Sequence, residues 1–230
     1  MFSNFDFDVI LRSLPYLLYQ GMTFTILLTV LATAGGIVIG TLLALMRLSG
    51  IAALTWSAAA YVNLMRSVPF VLMIFWFYFL VPYIGQWITF SAQPLQVGAF
   101  ASCLVTFMLF EAAFFCEIMR AGIQSIPRGQ VYSAYALGLT YGQAMRLVIL
   151  PQAFRNMLPV LLTQTIILFQ DTSLVYVLSI TDFLGAASKV AQRDGRLVEM
   201  YIFAAVVYFV VSFGLSLMVK RLQQKIAIVR

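Results

Sequence analysis

Three ionisable residues stand inside long apolar runs of this 230-residue sequence: Arg66, Glu111 and Asp171. An ionisable group at the centre of a membrane-spanning helix costs about 2.5–3.5 kcal/mol on insertion scales, so it is expected to face a partner or a water-filled cavity. Counted from the same end of their runs, the three lie at comparable depth, and we expect that they could meet. An arginine in such a place suits a carboxylate, which it binds through two parallel hydrogen bonds. Two interpretations stay open, because Arg66 could bind the carboxylate of a ligand or could pair permanently with Glu111 and only hold helices together.

A polar stripe occupies the apolar run that contains Asp171. Its members recur at an interval of seven residues, which is two helical turns, and two further polar residues extend it. Such a stripe favours the wall of a cavity over contact with lipid, with hydrogen bonding between helices as the alternative. The predicted pathway residues are therefore Arg66, Glu111, Thr163, Gln164, Gln170, Asp171, Thr172 and Ser173.

Residues that could catalyse a reaction or hold a metal are scarce. The sequence contains no histidine, which removes histidine triads and histidine metal centres from consideration. Its two cysteines, Cys103 and Cys116, lie in one apolar run without metal-ligand spacing. A phosphate-binding loop of the G-x-x-x-x-G-K-[ST] form is absent, as is a nucleophile beside a base. We therefore predict that the chain is no enzyme, with no catalytic residue, metal or cofactor of its own.

The composition predicts an integral membrane protein. Hydrophobic residues make up 63% of the chain and charged residues 10%, and the mean hydropathy is +0.98; in soluble domains about a quarter of residues are charged. At roughly 20–25 residues per spanning helix and its connection, about five or six helices fit. We predict an all-α protein with a single transmembrane domain over 1–230. The net charge of +6 is distributed by membrane side, which argues against a nucleic-acid partner.

Five spans are predicted, at about 17–46, 54–80, 95–119, 156–180 and 198–219. Gly36 and Gly40 in the first span have the spacing that permits close helix approach. The acidic start, with Asp6 and Asp8 before any base, predicts an uncleaved N-terminus outside, whereas basic residues predict a cytoplasmic C-terminus. The mixed-charge segment 182–199 would lie outside, either as a solvated loop or as a contact for a soluble partner. The basic C-terminal residues are Lys220, Arg221, Lys225 and Arg230.

A short polar segment, 129–151, separates the third and fourth spans and reads as two short helices. The first closes at Gly138, since glycine takes the left-handed conformation without penalty. The second opens at Thr140, whose hydroxyl and Gln143 can form a reciprocal cap. The flanks are basic with no acidic residue between 120 and 155, which predicts the cytoplasmic side. The flanking bases are Arg120, Arg128, Arg146 and Arg155.

The spacing of this segment resembles a known motif. Ala134, Gly138, Leu150 and Pro151 match the EAA loop of permease subunits from bacterial ABC importers, although Tyr132 and Ser133 replace its Glu and first Ala, and Val148 its Ile. Residues 117–126, 150–155 and 171–174 narrow the resemblance to the polar amino-acid permeases of the histidine, glutamate, glutamine, arginine and opine branch. The sequence is most similar to glutamate/aspartate permease subunits, over nearly the whole chain.

The resemblance implies a type I importer permease fold in the bacterial inner membrane and several partners. Its loop would dock into a pair of ATPase subunits, on which ATP is bound, and a second permease, identical or related, would complete the pore. A soluble amino-acid-binding protein would deliver the substrate, implied to be glutamate or aspartate, and lipid would surround the spans. The docking residues implied by the motif are Gly129, Ala134, Gly138, Leu139, Thr140, Gln143 and Pro151.

The alternative is an ion-coupled secondary transporter or small channel acting as a homo-oligomer, with Glu111 and Asp171 coupled to protons or cations. It predicts an internal repeat and interrupted helices in corresponding positions, and the sequence indicates neither. Whether the pore is this chain twice or this chain with a related permease stays open. Tyr132 favours the related permease, since a partner could carry the missing Glu.

Overall fold

The computed structural model describes residues 5–226, and every regular element in that range is a helix. Residues 1–4 and Arg230, on which the predicted orientation partly rests, lie outside the described residues. In chain order the α-helices are α1 (Phe7–Tyr16), α2 (Thr23–Leu48), α3 (Ala52–Ser67), α4 (Phe70–Thr89), α5 (Ala99–Gln124), α6 (Arg128–Ala136), α7 (Tyr141–Ala144), α8 (Leu150–Asp171), α9 (Phe183–Asp194) and α10 (Leu197–Ile226).

Irregular helical turns join several of these elements into longer runs. A π-helical turn at Leu17–Met22 connects α1 to α2, another at Met145–Ile149 connects α7 to α8, and a 3₁₀ turn at Thr172–Leu178 extends α8. Five runs are then long and apolar enough to cross a membrane, which confirms the predicted five spans of an all-α protein. They are Phe7–Leu48, Phe70–Thr89, Ala99–Gln124, Tyr141–Leu178 and Leu197–Ile226.

The second predicted span, 54–80, has the wrong bounds. The backbone is extended at Val68 and Pro69, which separates α3 from α4. A proline disfavours the helical conformation of the residue before it, so the helix ends there. Of the two helices, α4 alone is long enough to span, and it continues through Pro82 to Thr89. Arg66 therefore lies in the last turn of α3, beside a break in the helix.

Helices α2 and α5 pack more closely than any large side chain would allow. A Cβ atom at Gly40 would lie 2.8 Å from the Cβ of Phe115 and 2.9 Å from the carbonyl oxygen of Ala112. One helical turn earlier, a Cβ atom added at Gly36 would lie 3.1 Å from the ring of Phe115 and 3.2 Å from the Cβ of Glu111. The predicted close approach at these two glycines is confirmed, and it fixes α5 at the centre of the molecule.

The segment 182–199 is not a solvated loop, because most of it forms α9 and the start of α10. Asp182 caps α9 by accepting hydrogen bonds from the backbone N–H groups of Leu184 (3.0 Å) and Gly185 (2.9 Å). The side chain is fully buried, and burial raises the pKa of its carboxyl to about 6. Helix α9 packs against the π-helical turn at Gly21, where an added Cβ would lie 2.9 Å from that of Ala186.

Candidate functional site

The polar segment between the third and fourth spans begins with α6, and this helix ends as the sequence predicts. Gly138 has φ +81°, its N–H donates to the carbonyl of Tyr135 (2.9 Å), and the N–H of Leu139 donates to that of Ala134 (3.1 Å). These two bonds form a Schellman motif, in which a left-handed residue lets the last carbonyls of a helix find donors. The turn after α6 is therefore held by its own backbone.

The next helix begins with the predicted cap but does not end where expected. Thr140 Oγ1 accepts from the N–H of Gln143, and Gln143 Oε1 accepts from the N–H of Thr140 (2.9 Å). The prediction that the second helix is also short is wrong, since the run Tyr141–Leu178 is continuous. Pro151 has no N–H to donate, and the wider π-helical turn before it accommodates that gap. The cap therefore starts a helix that enters the membrane.

Most of the residues that the motif marks for docking are accessible. Gly129, Gly138, Thr140, Gln143 and Pro151 are exposed and Leu139 is partly so. Ala134 is only 2% exposed, so its methyl group packs inside the chain and cannot reach a partner.

Four large hydrophobic or aromatic residues on the surface of this segment were not among the predicted docking residues. Leu137 is 82% exposed, and the three tyrosines around it are also exposed. A cluster of exposed apolar side chains on a polar segment indicates a contact with another protein. We call Tyr132, Tyr135, Leu137 and Tyr141 the loop patch. The sequence contained an indication of this patch, because these large side chains lie in a polar segment outside the predicted spans.

The intramembrane carboxyl of Glu111 lies wholly inside the chain. The residue is 0% exposed, and both carboxyl oxygens accept from Gln164 Nε2, at 3.1 and 3.3 Å. The interpretation in which Arg66 pairs permanently with Glu111 is wrong. The guanidinium of Arg66 is exposed and lies over the ring of Phe114, 5.4 Å from its centroid, and it forms no ion pair within residues 5–226.

Arg66 and Asp171 do not meet. Arg66 shares a cavity with Val160 of α8, whereas Asp171 lies at the far end of the same helix, 11 residues later. At 1.5 Å per residue this is about 16 Å along the helix axis. Asp171 is partly buried and has no ion-pair partner among the described residues. The comparable depths assumed from the sequence depended on a continuous second span, which the break at Pro69 removes.

The polar stripe of α8 divides between two faces of the helix. Thr163 and Gln170 are exposed, while Gln164 turns inward to Glu111. Thr172 is fully buried, with its hydroxyl donating to the carbonyl of Phe169 (2.7 Å), so it does not extend the exposed face. Asn156, which was not among the predicted pathway residues, is also exposed and stands seven residues before Thr163. The exposed polar face of α8 therefore consists of Asn156, Thr163 and Gln170.

Two cavities border this face. Toward the end of α8, Gln170 and Ser173 line a cavity of about 370 Å³ together with Tyr208 and Ser212 of α10. Toward its start, a cavity of about 430 Å³ lies between α3, α5 and α8, and we call it the inner cavity. Its polar lining residues are Arg66, Glu117, Ser125 and Asn156.

An ion-pair network closes one side of the inner cavity. Glu117 of α5 accepts from Arg47, at the end of α2, and from Nη2 of Arg120 at 2.6 Å. At the base of the cavity, Asn156 Nδ2 donates to the hydroxyl of Ser125 at 2.9 Å, so the end of α5 and the start of α8 are joined directly. Both residues flank the polar segment that carries the loop patch. The Asn156–Ser125 hydrogen bond therefore links the lining of the inner cavity to both ends of that segment.

Comparison with known proteins gives a consistent picture. The family described as "Binding-protein-dependent transport system inner membrane component" matches residues 36–228. The glutamate/aspartate import permease protein GltK of Escherichia coli O6:H1 is 52% identical over 224 residues, covering 97% of this chain and 99% of its own. The glutamine transport system permease protein GlnP of Escherichia coli K12 is 32% identical over 225 residues, covering 98% and 99%.

A solved structure agrees with these relatives. An amino acid ABC transporter with histidines has a chain that superimposes with a TM-score of 0.84 at 30% identity, covering 96% of this chain and 98% of its own. The similarity therefore includes the polar segment, the inner cavity and both ends of α8, not only the apolar runs.

Proposed function

We propose that this chain, which belongs to the family of binding-protein-dependent transport system inner membrane components and is the permease subunit of an ABC importer, moves glutamate and aspartate into the cytoplasm. The substrate proposal is supported by the 52% identity with a glutamate/aspartate import permease over nearly the full length of both chains. Arg66 agrees with it, because it forms no ion pair within residues 5–226 and a guanidinium binds carboxylates in a planar, two-pronged geometry.

The observation that carries the coupling mechanism is the loop patch on a rigid support. The Schellman motif at Gly138 and the cap at Thr140 fix the turn at both ends, so force on the patch passes into the helices instead of deforming a loop. From Thr140 the run continues unbroken into the membrane. We propose that a separate ATPase pair grips the patch and that ATP bound there, not on this chain, drives the movement.

The side of the membrane follows from charge. Helix α8 begins and α5 ends at the polar segment, and α10 packs against α8 in the opposite direction, so the end of α10 lies on the same side. That side carries Arg128, Arg146 and Arg155 together with Lys220 and Arg221. An excess of arginine and lysine marks the cytoplasmic side. We therefore propose a cytoplasmic C-terminus and an outside N-terminus, with α9 facing a soluble amino-acid-binding protein.

The pathway would follow the exposed polar face of α8. Asn156, Thr163 and Gln170 are exposed on this chain, and polar side chains at membrane depth are expected to face protein or water instead of lipid. A second permease, identical or related, would cover this face and enclose the pathway between the two chains. The buried contact between Glu111 of α5 and Gln164 of α8 would hold α8 in place on the side away from the pathway.

The test is purification of the tagged complex in mild detergent, with mass spectrometry of the chains that accompany it. We expect an ATPase with the wild type and its loss in Leu137→Asp, because a charge in the loop patch would have to be desolvated on docking. Phe90→Asp is the matched control, since Phe90 directly follows α4, is 94% exposed and is not part of the loop patch. Equal ATPase recovery from both variants, or none from the wild type, would reject the proposed coupling.

A further inference from the structure

The inner cavity has the size and lining of a site for a small polar molecule. Its volume of about 430 Å³ lies within the range of ligand pockets. One wall is apolar, formed by Ile118, Met157 and Val160, and the polar groups converge from three different helices. Gly122 contributes no side chain on the α5 wall, where an added Cβ would already lie 2.9 Å from that of Met157.

Charge defines the kind of molecule that the cavity would accept. Glu117, the one carboxylate among its described lining residues, is already bonded to Arg47 and Arg120. Two guanidinium groups therefore compensate one carboxylate, and Arg66 adds a third positive charge, whose guanidinium lies over the ring of Phe114. A guanidinium stacked on an aromatic ring keeps its planar donors free for a ligand. This surplus of positive charge suits a carboxylate.

Asp171 lies far from the inner cavity, toward the other end of α8. About 16 Å along α8 lies between Val160 and Asp171, which is roughly twice the length of an amino acid of glutamate's size. Asp171 is also not among the residues that line the inner cavity, so a substrate held there does not contact it. We infer that the inner cavity is a carboxylate-binding station for the substrate, distinct from a second station at the Asp171 end, so that an amino acid occupies the two in succession. The inference rests on the proposed amino-acid transport and adds where the substrate's carboxylate is held.

The acidic end of the path has complementary chemistry. Asp171 has no cationic partner among residues 5–226, and Gln170 and Ser173 beside it line the second cavity. Hydrogen-bond acceptors of this kind suit an ammonium group. A zwitterionic amino acid would thus be held mainly through its ammonium group at one station and mainly through a carboxylate at the other.

The experiment measures equilibrium binding of radiolabelled glutarate and L-glutamate to the purified permease–ATPase complex without its binding protein. Glutarate carries two carboxylates and no ammonium group, so it reports on the carboxylate station alone. We expect Arg66→Gln to weaken glutarate binding about tenfold or more, as expected for loss of hydrogen bonds to a charged group. Arg66→Lys should restore part of the affinity. Arg155 of α8 is exposed and does not line the cavity, so Arg155→Gln should leave the affinity unchanged.

Several results would overturn the inference. Glutarate binding that Arg66→Gln leaves intact, or that Arg155→Gln weakens equally, would show that the cavity is not the site. Loss of the second permease from both Arg66 variants would show that Arg66 serves assembly. For L-glutamate, Arg66→Gln or Asp171→Asn alone should leave the binding at the other station, and the double variant should lose both; loss of all L-glutamate binding in either single variant would mean one shared site. A wild-type complex without an ATPase would instead reject the proposed function.

Discussion

At the scale of the residue, the sequence identified the polar side chains but not their partners. Glu111 is conspicuous in an apolar run, yet its hydrogen-bond partner, Gln164, stands 53 residues away on another helix. Arg66 was the more obvious partner by charge, and the break at Pro69 places it beside Phe114 instead. A partner across helices depends on depth and rotation of each helix, and neither follows from composition or from spacing along one run.

The Glu111–Gln164 contact gives the first prediction. Glu111→Ala should destabilise the protein by about 2–4 kcal/mol, because it leaves a cavity and an unpaired amide in the interior. Glu111→Gln keeps the shape and an oxygen that can accept from Gln164, so it should cost less than half as much. The measurement is thermal or chemical unfolding of the purified protein in detergent. Equal losses in the two variants would mean that the charge of Glu111, and not its shape and hydrogen bond, stabilises this contact.

At the scale of the element, local signals succeeded where they concern neighbouring residues. The glycine at 138 and the Thr140–Gln143 pair have the predicted geometry, since each cap involves residues within one or two turns. Prolines were less informative. The chain breaks at Pro69 but continues through Pro82, Pro151 and Pro159. Tertiary packing and π-helical turns decide between these outcomes, and a single sequence does not reveal either.

Helix packing at Gly40 gives the second prediction. Gly40→Ala should destabilise the protein by about 1–3 kcal/mol, because the added methyl group would overlap the backbone of α5 and the Cβ of Phe115. Gly214→Ala in α10 is the matched control, since its Cβ would meet no described atom within 4 Å. Alanine favours the helix over glycine, so this control should be neutral or stabilising by up to about 1 kcal/mol. Unfolding midpoints in detergent that move together for both variants would contradict the close α2–α5 contact.

At the scale of the whole molecule, the exposed polar face of α8 implies that the chain is incomplete alone. The fold class, the five spans and the single polar segment followed from hydropathy and charge. The division of the α8 stripe into two faces did not, because it depends on which side of the helix α5 covers. The helix break at Pro69 is a feature that an ion-coupled transporter would also show, but such a transporter predicts matching breaks in two repeats. Among residues 5–226, the extended backbone at Val68–Pro69 separates α3 from α4. Helix α8 has no matching extended break, because it continues directly into a 3₁₀ turn.

The last prediction concerns the chain that covers this face. A photoreactive benzophenone amino acid in place of Thr163 should cross-link to a second permease in native membranes, because Thr163 lies at the centre of the exposed polar face. The same substitution at Val38, exposed on the apolar surface of α2, should give no such adduct, since lipid is expected to cover it. Peptides of this chain alone in the Thr163 adduct would indicate a pore formed by two copies, and peptides of a related permease would indicate a mixed pore. Adduct yields no higher at Thr163 than at Val38 would contradict a permease interface along α8, and would place the pathway elsewhere on the chain.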